Sequence, residues 1–236
     1  MTLTLEKATP TGEVGARGNT TANGTRIINA ATLNLQYSTF RSDTYKGITR
    51  HSRTWSYLVR TLEQVDEYAE KRACPMIKLA TFGKVESAKG ALRHRANMVE
   101  IYGIIGDYDG EQVSIARAAD LLGAQGIEAF FYTSASHTIE RPRWRVVVPL
   151  SQAYPVADHG RFVAMLNNAL GGILAAESFQ AAQCYYYGRV HGAVYETWRV
   201  QGDPLDLFDL VLGETYPEGK AATKDLTWSS KTGHTS

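Results

Sequence analysis

Residues 98–110 read MVEIYGIIGDYDG. The stretch from Met98 to Ile105 is mostly apolar and runs into Gly106, so it predicts a buried β-strand ending at the acidic pair. Residues two apart in a strand point to the same side. Asp107 and Asp109 are therefore expected to project together, with Gly106 and Gly110 leaving room for a ligand to approach. Two carboxylates this close repel unless a positive charge lies between them. A divalent cation with a preference for oxygen, Mg²⁺ or Mn²⁺, supplies it. The plainer reading is a solvated turn that happens to hold two acids.

Outward from this strand, helix and strand patterns alternate. Residues 32–38 alternate apolar and polar like a half-buried strand, 55–72 carry apolar residues at helical spacing, and 76–82 read as a second strand. After the acidic pair, 112–124 predict a helix with Gly126 just past its end, and 128–134 an aromatic-rich strand. Residues 144–149 predict a strand stopped by Pro149, and 156–170 a helix closed by Gly171 and Gly172. Residues 185–189 and 194–200 are strand-like, and 205–212 read as a short helix before Gly213. The order strand–helix–strand–strand–helix–strand after residue 98 predicts an α+β fold. Its core is a mixed sheet of the split βαβ kind, as in RRM domains, with helices on one face and an additional N-terminal α/β lobe. Residues 1–25 and 213–236 hold few large apolar side chains and are expected to be disordered, leaving a domain of residues 26–212.

The 236 residues carry a formal net charge of +1, so nucleic-acid contact must come from a local patch. Cys74 and Cys184 are too few and too isolated for a disulfide framework or a zinc site, and are expected to be reduced thiols of a cytoplasmic protein. No apolar run reaches the roughly 18–20 residues of a membrane span, and no membrane association is expected.

Four further segments offer chemistry. In Tyr132 to Thr138, His137 stands at a strand end among hydroxyls that include Ser136, where it can donate to a phosphate or carry a proton; it also reads as a surface histidine in a polar turn. In Arg141 to Arg145, Arg143 and Arg145 share a strand face and form a candidate triphosphate clamp, or else a solvated edge strand. Glu177 in AESF is the candidate third metal ligand or a surface carboxylate, and Tyr185 to Tyr187 are stacking platforms or core. Residues 83–97 carry Lys84, Lys89, Arg93, His94 and Arg95 against one acid, Glu86, as a phosphate-tracking segment or a solvated face.

Taken in order, these segments resemble the archaeo-eukaryotic primase superfamily, in particular the primase–polymerase domains of plasmids and phages. The resemblance covers residues 30–205 and is sharpest over 100–190. It rests on Asp107 and Asp109 after an apolar strand, His137 in TSASHT, PRWRVVVPLS, Glu177 in AESF, and the tyrosines before Gly188. The family's usual small hydroxyl residue two before the histidine is here Ala135, and its third acid, often Asp, is here Glu177. The resemblance implies template-directed nucleotidyl transfer on single-stranded DNA, using nucleoside triphosphates and two Mg²⁺ or Mn²⁺ ions, in replication of a mobile element beside a helicase. It implies Asp107, Asp109 and Glu177 as metal ligands, and Asp107, Asp109 and His137 as catalytic. Ser136, His137, Arg143 and Arg145 would face the nucleotide, and Lys84, Lys89, Arg93 and Arg95 the DNA.

Two other readings stand beside it. One is a non-catalytic nucleic-acid-binding module on a decayed primase fold. The other is a haloacid dehalogenase-like phosphatase, whose opening GDYDGEQ resembles; those proteins usually carry Thr where Glu111 stands, and no adjacent acid pair follows residue 111.

Overall fold

The computed structural model describes residues 29–41 and 47–208. The fold is α+β and built on two antiparallel sheets. The strands are β1 (Asn34–Phe40), β2 (Thr49–Thr54), β3 (Glu67–Tyr68), β4 (Met76–Lys78), β5 (Ala80–Phe82), β6 (Met98–Tyr108), β7 (Ala129–Thr133), β8 (Trp144–Pro155), β9 (Tyr185–Tyr186), β10 (Arg189–Val190) and β11 (Thr197–Val200). The helices are α1 (Trp55–Glu63), α2 (Ile115–Gln125) and α3 (His159–Ala169). The five-stranded sheet has the order β11-β7-β8-β6-β5 and the four-stranded sheet β2-β1-β4-β9. A short parallel pair joins β3 to β10.

The five-stranded sheet is apolar on both faces. On β8, Val146 and Val148 pack with Ala118 and Leu122 of α2 and with Phe162 and Leu166 of α3. Val147 between them packs the other way, with Trp55, Leu58 and Leu62 of α1 and Leu35 and Tyr37 of β1. A strand buried on both faces reads as a continuous apolar run, and that is why residues 98–105 carry one. Ser114 caps α2 by accepting from the Arg117 N–H, and Gly126 closes it in the left-handed conformation at φ 72°.

Several boundaries differ from expectation. The sheet is wholly antiparallel rather than mixed. β8 does lie between β6 and β7, the two strands joined by α2, as a split βαβ unit requires. The edge next to β6 is taken by β5, which precedes it in the chain, and the chain after α3 returns to this sheet at the opposite edge as β11. Residues 76–82 split at Leu79 into strands of two different sheets. β8 runs through Pro149 to Pro155; the register of β6 shifts between Ile101 and Gly103, opposite that proline, where a lost backbone donor is tolerated. The helix expected over 55–72 stops at Glu63, since Glu67 and Tyr68 pair with β10. Residues 205–207 form only a 3-10 turn, and the remainder of that expected helix lies outside the described residues, as do the expected disordered ends. The N-terminal lobe is not self-contained, because β9 supplies its fourth strand.

Candidate active site

Asp107 is the penultimate residue of β6, on the face turned toward α1 and the four-stranded sheet. Directly opposite it on β8 is Arg145, and opposite Arg145 on β7 is Tyr132. The row Asp107, Arg145, Tyr132 thus crosses three adjacent strands on one face. Arg145 Nε donates to Asp107 Oδ1 at 2.8 Å, and Arg145 Nη1 donates to the Tyr186 carbonyl at 2.6 Å. The guanidinium also lies over the rings of Tyr185 at 5.3 Å and Tyr132 at 5.8 Å. Burial alone would lower the Arg145 pKa, but Asp107, Tyr132 and Tyr185 around it hold it above its ordinary value. Burial pushes the Asp107 carboxyl up, Arg145 pulls it down, and Asp109 and Glu177 push it up again, with a net rise.

The turn after β6 is built on Tyr108. Its hydroxyl accepts from the backbone N–H of Gln112 at 2.9 Å and of Val113 at 2.8 Å. A Cβ on Gly110 would stand 2.8 Å from the Tyr108 ring, so the turn needs glycine there. A Cβ on Gly106 would stand 2.8 Å from Leu174. The space beside both glycines is filled by the protein's own side chains, which corrects the expectation that it is kept for a ligand.

The third acid is delivered by a short segment stitched to the end of β6. The Asp107 carbonyl accepts from the Ala175 N–H at 2.8 Å, and the Asp107 N–H donates to Ser178 Oγ at 3.0 Å. Glu177 lies between these two anchors in a 3-10 turn, Ala176–Phe179. One oxygen each from Asp107, Asp109 and Glu177 lie within 4.8 Å of one another. Three carboxylates of graded exposure, from buried Asp107 to exposed Asp109, form a hard-oxygen donor set of the kind Mg²⁺ and Mn²⁺ take.

This cluster opens on a cavity of about 340 Å³. Of the residues expected from sequence, Asp107, Asp109, Glu177, Ser136, Arg143, Arg145 and Arg93 line it. Arg143 and Arg145 do not form one fork: Arg145 turns to Asp107 and Arg143 to Glu111. His137 is buried and is not among the lining residues; its Nδ1 accepts from the Arg143 N–H at 3.1 Å, which places the proton of a neutral ring on Nε2. Lys84, Lys89 and Arg95 are exposed on the loop between β5 and β6 and do not line the cavity. Sequence reasoning missed Lys71, a lining residue whose Nζ lies 5.9 Å from the Tyr186 ring centroid. It lay within the stretch expected to be helical, where nothing marked it. Cys74 and Cys184 are free and buried, and among the described residues no helix is long and apolar enough to cross a membrane.

No family model matches this chain, and no curated protein matches it. Among solved structures, the AEP domain of the cyanophage S-2L primase-polymerase is similar over 75% of this chain and 85% of that one, at 14% identity and a TM-score of 0.40.

Proposed function

We propose that this chain is a metal-dependent nucleotidyltransferase that adds nucleotides to DNA on a single-stranded template, in the manner of a primase–polymerase. The observation that carries the reading is the convergence of Asp107, Asp109 and Glu177, 70 positions apart in the chain at the widest, on one cavity that also holds Arg143 and Ser136. The order of motifs from Asp107 to Gly188 supports the same reading. A domain of residues 26–212 and a role in copying a mobile element belong to the proposal.

Asp107, Asp109 and Glu177 would hold Mg²⁺ or Mn²⁺; bound there, two such ions lower the pKa of an attacking hydroxyl and offset charge on a leaving pyrophosphate. The residues of the chain do the rest. Arg145 holds Asp107 in place and balances its charge. Arg143 and Ser136 face the triphosphate, and Lys71 adds a further cation at the cavity wall. His137 fixes the backbone of Arg143 through Nδ1 and keeps Nε2–H as a donor. A primer 3′-hydroxyl attacks the α-phosphorus and loses its proton to solvent; the P–O bond to the β-phosphate breaks, and pyrophosphate leaves with its electron pair. Arg93, with Lys84, Lys89 and Arg95 of the same loop, lies along a path for the template backbone.

The test is incorporation of labelled nucleotides on single-stranded DNA, with and without an annealed primer, in Mg²⁺ and in Mn²⁺. Metal-dependent extension supports the proposal. Folded protein that binds the oligonucleotide and incorporates nothing points to the binding module, and phosphate release from a simple phosphomonoester points to the phosphatase.

A further inference from the structure

Glu111 has φ 59°, and among the described residues it is the one non-glycine in the left-handed region. A side chain in that conformation is strained and persists only where its surroundings hold it. Here the hold is two arginines. Arg141 Nε and Nη2 donate to the Glu111 carboxylate at 2.6 and 2.8 Å. Arg143 donates to the same carboxylate through Nε at 2.8 Å and through Nη2.

The choice of edge matters. A guanidinium is a planar fork with a limited set of donors. Glu111 occupies the Nε and Nη2 edge of Arg143, and the remaining Nη1 stands 3.9 Å from Asp109 Oδ1, on the cavity side. The Arg143 main chain is fixed as well, since its N–H donates to His137 Nδ1 and its carbonyl accepts from the Ser134 N–H. Both ends of the side chain are tied, and the remaining donor edge faces the carboxylate cluster, with only the longer ion pair to Asp109 on it. Glu111 does not line the cavity, so it acts on the cavity only through Arg143.

We infer that Glu111 is a positioning residue: its carboxylate turns the remaining edge of Arg143 toward the phosphates of a nucleoside triphosphate, at the cost of a strained backbone. This rests on the nucleotidyltransferase reading for its ligand. A carboxylate kept only to stabilise the turn predicts the opposite pattern of effects, because glycine at position 111 relieves the strain.

The experiment measures dATP affinity by calorimetry in Mg²⁺ for the wild type, Glu111→Gly, Glu111→Gln, Arg143→Ala and the Glu111→Gly/Arg143→Ala double variant, with thermal unfolding of each. The expected result is a roughly tenfold weaker Kd for Glu111→Gly with a melting temperature unchanged or raised. Glu111→Gln is expected to lie between the two, since its amide oxygen keeps one acceptor. In the Arg143→Ala background Glu111→Gly should weaken binding no further. A Kd within twofold of wild type in Glu111→Gly, a tighter Kd, or an undiminished effect when Arg143 is absent overturns the inference and leaves the nucleotidyltransferase reading standing. A wild type that binds no triphosphate overturns both.

Discussion

Asp107 and Arg145 face each other across the β6–β8 ladder as a buried ion pair, 2.8 Å apart, and carboxylate oxygens of Asp107, Asp109 and Glu177 lie within 4.8 Å of one another. Without a cation, one guanidinium is the closest positive charge to the three-carboxylate cluster. Arg143 Nη1, 3.9 Å from Asp109, sets a second guanidinium beside the cluster, so two arginines offset its three carboxylates.

Removing Arg145 should therefore be costly. Arg145→Met leaves Asp107 buried among like charges, and breaking such a pair costs about 3–5 kcal/mol. Urea unfolding without metal measures it, and millimolar Mg²⁺ should restore part of the loss. A loss under about 1 kcal/mol, or no response to Mg²⁺, would show that the pair does not have this role.

The Tyr108 hydroxyl serves two backbone donors of the turn that carries Asp109. Tyr108→Phe leaves both N–H groups without that acceptor, at about 1–3 kcal/mol, and should weaken Mn²⁺ binding several-fold by loosening Asp109. Unchanged Mn²⁺ affinity in a destabilised variant would confine the hydroxyl to stability.

Glu177 owes its position to the anchor beside it. Ser178→Ala removes the acceptor for the Asp107 N–H, a buried bond worth about 1 kcal/mol net. Mn²⁺ affinity should fall in Ser178→Ala and fall further in Glu177→Gln. Equal affinity in Ser178→Ala and wild type would mean the segment is held by the Ala175 bond alone.

Lys78 of β4 is wholly buried, with its Nζ 3.0 Å from His159 Nε2 of α3. Burial brings the Lys78 pKa down from 10.5 to about 8, and burial with the nearby lysine holds His159 well below its usual value. Between pH 8 and 10.5 the unfolded chain binds the Lys78 proton and the folded one does not, so the Lys78 contribution to stability rises with pH across that window. Cys184, pushed from 9 to about 11 by burial, works in the other direction; Lys78 holds part of that rise back, so its removal narrows the gap further at high pH. Lys78→Met should be the more stable protein below pH 8, by an order of about 3 kcal/mol, with the gap narrowing toward pH 10.5. A gap that does not change with pH would mean the ammonium is not penalised in the fold.

The parts of the fold legible in the sequence are those with local signals. The run before Asp107 announces a buried strand, and Ser114 and Gly126 mark the two ends of α2. β2 was not legible, because TRHSRT at 49–54 is an exposed edge strand with no apolar residue to betray it. The break at Leu79 and the passage of β8 through Pro149 depend on pairing with β6, which no local pattern encodes. In the site, the acidic pair could be read from its place at a strand end. That Glu177 meets it depends on Leu174 beside Gly106 and Ser178 beneath Asp107, contacts separated by about 70 residues in sequence. The division of labour between Arg143 and Arg145 was also out of reach, since it turns on which acid each one meets in three dimensions.

The most direct test of the proposed metal-dependent centre is primer extension by wild type, Asp107→Asn/Asp109→Asn and Glu177→Gln, each with Mg²⁺, with Mn²⁺ and with EDTA. The expected result is extension by wild type in either metal, none in EDTA, none by the double variant, and at least a tenfold loss in Glu177→Gln, with all three proteins folded. Extension that persists in EDTA or in the double variant would contradict the assignment of these carboxylates.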